Sequence, residues 1–343
     1  MPNNAVGNNR KYWGVVPVME APALGAMAKQ AEDQGLEGLF AAQVYGPPFL
    51  PLAVAATTTS SIRLATGIAI AAARSPTETA MAALDMDRLS NGRFTLGLGS
   101  SVSAWTSGLF GSPPIKPLTH LRETVEAVRY IIANAHTGLK PFEGEYFSAD
   151  FKEISLTAPP VRQHIPVWIA AMREKMARLG AEIGDGVIGH PMWSVEWTVN
   201  QMAPAILDSL NKAGRQRTDI EVSIWPWVAP NPDEKAALND ARPTIAFYAG
   251  VKQYESFFEA HGFKKEAQAC QKGVQQGDYL SVVDQVPDEM VHAFFAIGEL
   301  DKVRERIEPL WQIADSLCLV PPFYALPAEK QMYYAGQLAQ LTA

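Results

Sequence analysis

The residues able to do chemistry are scattered, and none forms a metal or nucleophile signature. The histidines His120, His136, His164, His190, His261 and His292 include no H-x-H or H-E-x-x-H pair, so no metal centre is expected. No G-x-S-x-G elbow, Cys–His pairing or P-loop is present, and Cys270 and Cys318 stand far apart in no redox spacing. What remains suits the holding of a ligand. His190, before Pro191, follows a strand-like run; it is either a satisfied structural histidine or a hydrogen-bond partner for cofactor or substrate. Arg173 opens a helix after another such run; it is either a solvated cation or a phosphate contact aided by the helix N-terminus. Gly97-Leu98-Gly99 is either a close-packed strand end or a place where Gly99 admits a cofactor to the backbone while Ser100 and Ser101 supply hydroxyls. Trp105, Trp193, Trp197, Trp225 and Trp227 either pack in a core or partly line an apolar pocket.

The elements that position these groups alternate strand and helix. Strand-like runs occur at Tyr12–Val18, Leu36–Ala42, Ile62–Ala71, Arg93–Gly99, Ile165–Ala171, Asp185–Gly189, Ile220–Val228 and Ser316–Val320. Several are apolar almost throughout, as strands covered on both faces are. Between most of them lie amphipathic helices, such as the one presenting Leu121, Val125, Val128 and Ile132 on one face. Ser75-Pro76-Thr77-Glu78 reads as a capping box with proline at the first helical position. Residues 138–166 read as an excursion or small hairpin, and residues 231–290 as helices with an insertion before the last strand. Eight βα units predict a closed (β/α)8 TIM barrel, with insertions after strand 4 and before strand 8. A doubly wound sheet would want a glycine-rich phosphate loop after the first strand, and none is there. In a barrel the site lies at the carboxyl ends of the strands. That places residues 18–20, residues 42–45 with Gln43 and Tyr45, residues 67–74, residues 100–105, Met172-Arg173, His190-Pro191 and Pro226-Trp227 at its mouth.

Composition narrows the partners. With 29 Lys and Arg against 36 Asp and Glu, the formal net charge is −7 and no basic block occurs, which argues against nucleic acid. No apolar run of membrane-spanning length appears. Residues 1–11 read as a short flexible polar tail without a signal-peptide core, and residues 12–343 as one barrel domain. Two isolated cysteines suit a reduced, cytoplasmic setting.

The segment from Phe49 to Gly99 then carries a specific resemblance. An alanine-rich helix leads to Arg63-Leu64-Ala65-Thr66-Gly67, a proline-started helix at Ser75-Pro76, and Leu89-Ser90-Asn91-Gly92-Arg93 running to Gly97-Leu98-Gly99. This order resembles the bacterial luciferase-like superfamily, nearest its F420-dependent actinobacterial oxidoreductases, and looser similarity extends over nearly the whole chain. The resemblance implies a barrel with an isoalloxazine-type ring, of coenzyme F420 or FMN, at its mouth. It implies a non-prolyl cis peptide at Gly67-Ile68 behind that ring, and a homodimer. On these grounds the expected cofactor contacts are Gln43, Gly67, Ile68, Ala69, Gly99, Ser100, Ser101, Ser103, Trp105, Ala171, Met172, Arg173 and His190. His190 and Tyr45 are the candidate catalytic residues.

Three departures shape the functional expectation. Gln43 stands where relatives place an acid or histidine, and it cannot act as a general acid or base. Ser101-Val102-Ser103-Ala104-Trp105 replaces a more polar or basic loop. Met172-Arg173-Glu174 replaces a glycine whose N–H meets phosphate. The anionic tail of F420 therefore meets fewer cations than usual, whereas the single phosphate of FMN needs only Arg173, serine hydroxyls and backbone N–H groups. The leading expectation is hydride transfer to or from a small organic substrate by a bound flavin or deazaflavin. A reduced-FMN monooxygenase and a cofactor-binding barrel without turnover are the alternatives.

Overall fold

Short apolar runs separated by amphipathic helices dictate the architecture. The computed structural model describes residues 10–44, 46–152 and 157–342. The strands are β1 Lys11–Val15, β2 Gly38–Ala41, β3 Arg63–Thr66, β4 Ala69–Ile70, β5 Phe94–Gly99, β6 Phe142–Glu143, β7 Ser148–Ala149, β8 Val167–Ala171, β9 Gly186–Gly189, β10 Glu221–Ile224, β11 Trp227–Pro230, β12 Phe295–Gly298 and β13 Ser316–Cys318. The described residues fall into two compact units. The first comprises the described residues within 1–189, 205–223 and 314–318, the second those within 190–204, 224–313 and 319–343.

In the first unit the strands follow the order β3-β2-β1-β13-β10-β9-β8-β5, and β5 pairs back to β3. This closes an eight-stranded parallel barrel. Its strands are the eight that the sequence predicts, with ends shifted by a few residues. Every residue of β2, β5 and β9 is buried, which is why these runs lack the polar alternation of a half-exposed sheet. The helix Pro76–Leu89 starts as expected, with the Ser75 hydroxyl accepting from the Glu78 N–H. The Glu78 carboxylate instead lies 3.6 Å from Arg74 Nε. Residues 138–166 do contain a hairpin, β6 antiparallel to β7.

Large rings fill the barrel where glycine makes room. Trp13 packs on Phe40 at 4.3 Å and on Trp168 at 5.4 Å between centroids. A Cβ on Gly38 would lie 2.3 Å from the Trp13 ring, and one on Gly186 would lie 2.5 Å from that of Trp168. The Arg63 guanidinium stands 5.2 Å from both indoles and donates to both carboxylate oxygens of Glu221, at 2.7 and 2.9 Å. Burial alone would lower its pKa, but the hydrogen bonds to Glu221 and Glu37 prevail and raise it. Arg63 and Glu221 both open their strands. The pair therefore closes the amino end of the barrel, the face that serves stability in this architecture.

Three expectations are corrected. The run Ile62–Ala71 is two strands, separated by a cis peptide at Gly67-Ile68. The run Ile220–Val228 is also two, because Pro226 has no N–H to donate to a ladder. A four-residue strand, β12, went unread. In the second unit it pairs parallel with β11, and Trp227 bridges Val320 on the other side. The longest helix of that unit, Glu234–Gly250, is tied to the last one, Ala328–Thr342, through Asp240. The Asp240 carboxylate accepts from Tyr334 Oη at 3.0 Å and from Lys330 Nζ at 2.5 Å. No described helix is long and apolar enough to cross a membrane.

Candidate active site

At the carboxyl ends of the first unit's strands, the β3–β4 break is held by a side chain. Gln43 follows β2 and is buried. Its N–H donates to the Ile68 carbonyl at 3.1 Å. Its Oε1 accepts from the Ile70 N–H at 2.9 Å and from Arg74 Nη1 at 3.2 Å. Two backbone groups left without a ladder partner by the break are thus satisfied by one residue. Arg74 lies over Phe49, 5.3 Å from the ring centroid. Its side chain is only 7% exposed, and burial lowers its pKa despite the Glu78 carboxylate. The sequence places Arg74 within the mouth region but gives it no role; nothing in its local pattern shows that the guanidinium turns inward.

Gly67 and Ile68 are accessible, while Leu64–Thr66 and Ala69–Ala71 around them are buried. Ala69 pairs with Leu98 and Ile70 with Gly99. A Cβ on Gly99 would lie 2.4 Å from Ile68 Cδ1 and 3.4 Å from the Ala170 Cβ. The space that glycine leaves there belongs to the Ile68 side chain, so Gly99 brings Ile68 and Ala170 together. Gly97 has a different reason: a Cβ there would stand 1.9 Å from the Thr66 carbonyl oxygen. The Thr66 hydroxyl both donates to the Gly97 carbonyl and accepts from its N–H, at 2.7 and 2.8 Å. Ser100, Ser101, Ala170 and Met172 are partly accessible and Ala171 is buried. Ser101 holds a left-handed backbone, φ +57°, an uncommon conformation for a residue with a Cβ. Ser103 and Trp105 lie in a one-turn helix, Ser103–Thr106, inside what reads as loop. Arg173 is exposed and is the N-cap of the helix Glu174–Ile183, with no side-chain cap bond there.

In the second unit, His190 lies in an aromatic group. Its Nδ1 accepts from the Met192 N–H at 3.1 Å. A nitrogen that accepts carries no proton, so the neutral ring bears its hydrogen on Nε2. Burial lowers its pKa to about 4. The ring meets Tyr248 edge-on at 5.7 Å and Tyr254 at 6.3 Å. Tyr248 in turn meets Trp227 at 5.1 Å, Tyr254 at 6.0 Å and Tyr324 at 6.3 Å. Burial pushes the Tyr248 phenol far above its ordinary range, with Tyr324 and Tyr254 adding to the shift. Neither His190 Nε2 nor Tyr248 Oη has a hydrogen-bond partner among the described residues. Trp193, Trp225 and Trp227 are buried, while Trp197 is partly accessible. Tyr45, the other catalytic candidate, lies outside the described residues. Among the described residues no cluster of His, Cys, Asp and Glu could hold a metal ion.

Known proteins resemble this chain in sequence and fold. The profile of the luciferase-like monooxygenase family matches residues 8–314. A putative coenzyme F420-dependent oxidoreductase of Mycobacterium tuberculosis is 31% identical over 330 residues, covering 90% of this chain and 92% of its own length. The coenzyme F420-dependent tetrahydromethanopterin reductase of Methanopyrus kandleri superposes with a TM-score of 0.79 at 24% identity, over 96% of this chain and 97% of its own. A type II Baeyer–Villiger monooxygenase of Pseudomonas putida, solved with FMN, superposes with a TM-score of 0.66 at 16% identity, over 97% and 96%. With a family profile spanning most of its length and a closed parallel barrel beneath it, the chain belongs to the luciferase-like monooxygenase family.

Proposed function

We propose that the chain is an oxidoreductase that binds coenzyme F420 or FMN at the carboxyl ends of the first unit's strands and acts on a small organic substrate. The observation that carries this reading is that Gly67, Ile68, Ser100, Ala170 and Met172 are accessible at the carboxyl ends of strands whose bodies are buried. Small and apolar groups without a carboxylate suit a flat, uncharged ring. When bound, the ring supplies a two-electron hydride donor or acceptor. The chain's own part is to hold and shield it. Gln43, Gly67, Ile68, Ala69 and Gly99 would back the ring. Ser100, Ser101, Ser103 and Arg173, with the Glu174 and Lys175 N–H groups that open the helix Glu174–Ile183, would meet its phosphate side.

Coenzyme F420 is favoured by the likeness to F420-dependent relatives across nearly the whole chain. The charge pattern favours FMN as a second reading. Arg173 is followed directly by Glu174, which is paired with Arg178, so one phosphate is easier to neutralise here than a polyanionic tail.

Titration with each cofactor tests the proposal, following ligand fluorescence and the thermal midpoint. A ligand that binds only the folded state raises the midpoint by mass action. A rise with F420 alone supports deazaflavin hydride transfer, and a rise with FMN alone supports the monooxygenase reading. No rise with either overturns the redox assignment and leaves a barrel without turnover.

A further inference from the structure

We infer that His190 Nε2–H and Tyr248 Oη–H form a pair of neutral donors that recognise a carbonyl oxygen on an aromatic substrate. The inference rests on the reading of this chain as an oxidoreductase and names the class of substrate for it. The argument begins with the tautomer. The Met192 N–H occupies Nδ1 at 3.1 Å, so the imidazole has only a donor left to offer, on Nε2. Tyr248 brings a second polar hydrogen to the same rings, whose centroids are 5.7 Å apart. Neither group is satisfied by a described residue, and both residues are partly accessible, so both hydrogens are open to a ligand. Burial keeps both uncharged, holding the imidazole below and the phenol above their ordinary ranges.

With Nδ1 occupied the imidazole can only donate, and two neutral donors together favour an acceptor that gains negative character. A carbonyl oxygen answers this description. The surrounding surface selects the rest of the molecule. The partly accessible rings of Tyr254 and Tyr324 lie within 6.3 Å of that of Tyr248. Phe247 stacks on Tyr324 at 4.2 Å. Such walls favour a flat, apolar ring system by offset and edge contacts.

A matched pair of probes tests this without any cofactor. 2-Acetylnaphthalene and 2-ethylnaphthalene have nearly the same shape and differ in the carbonyl. Binding to the full chain would be followed by calorimetry and by tryptophan fluorescence. The wild type is expected to bind the ketone at least fivefold more tightly than the hydrocarbon. Tyr248→Phe and His190→Phe are each expected to lose most of that preference while keeping the hydrocarbon affinity. Equal affinities in the wild type, absence of binding by both probes, or a preference unchanged in both variants would overturn the inference. Cofactor titration of the same samples separates the claims: intact cofactor binding with no ketone preference refutes the donor pair alone. Circular dichroism checks that each variant is folded, and Tyr254→Phe, which retains a ring in the wall, should keep the full preference.

Discussion

The Gln43 carboxamide accepts a hydrogen bond from the Arg74 guanidinium at 3.2 Å and one from the Ile70 N–H at 2.9 Å. A carboxamide thus holds the β3–β4 corner. Gln43→Leu should leave the Ile70 N–H and a nearly buried guanidinium without this acceptor. The expected cost is about 1–3 kcal/mol, read as a lower urea midpoint. Gln43→Glu should lose little, because a carboxylate accepts the same two bonds and pairs with Arg74. Equal losses in the two variants would show that the amide's donor side, not its oxygen, holds the corner.

Gly97 and Gly99 should respond differently to the same methyl group. Gly97→Ala places its Cβ 1.9 Å from the Thr66 carbonyl oxygen, and a barrel backbone cannot yield that far. We expect insoluble protein or a stability loss above the ~1–3 kcal/mol usual for overpacking. Gly99→Ala meets the terminal carbon of Ile68 at 2.4 Å, and a side-chain end can rotate away. That variant should fold, with a smaller loss of thermal midpoint, and should weaken cofactor binding by displacing Ile68 from behind the ring.

The barrel was legible because parallel strands buried on both faces leave long apolar runs, as in Phe94–Gly99. The cis peptide at Gly67-Ile68 is expected only through the family resemblance, and the strand break beside it is not read at all. No periodicity distinguishes Gly67-Ile68 from the strand residues on either side. β12 was missed for a physical reason. Its four residues, Phe295–Gly298, directly follow the helix Asp288–Phe294, so no turn residue or period-2 pattern announces it. The aromatic group escaped for another reason. Tyr248 reads as one residue of a helix, and its partners Trp227 and Tyr324 are far away in sequence. His190 was legible by position, but its tautomer depends on a contact two residues along that only the coordinates reveal.

Arg63 should matter for folding and not for ligand binding. It bonds to Glu221 at 2.7 and 2.9 Å between the Trp13 and Trp168 rings, at the amino end of its strand. Arg63→Met removes the bidentate pair and both ring contacts, at an expected cost of about 1–3 kcal/mol. Denaturation in urea reads that loss directly. The affinity for whichever cofactor binds the wild type should stay within about twofold, since binding in this architecture is a property of the opposite end.

His190 makes stability depend on acidity, and the sign follows from its burial. Its folded pKa is lowered to about 4, below the value of about 6.5 for an exposed histidine. As pH falls below 6.5 the unfolded chain takes up a proton that the folded chain refuses, so acid favours unfolding. The stabilising contribution is therefore complete above pH 6.5 and is lost progressively as pH falls towards 4. His261 is shifted in the same direction, chiefly by burial, and adds to the slope. Thermal midpoints measured from pH 8 to pH 4 should fall less steeply in His190→Gln than in the wild type. The two curves should run parallel above pH 7. A wild-type midpoint that rose on acidification, or an unchanged slope in His190→Gln, would mean that His190 takes up a proton at least as readily in the folded protein as in the unfolded chain. Its Nε2–H could then no longer be counted as a neutral donor.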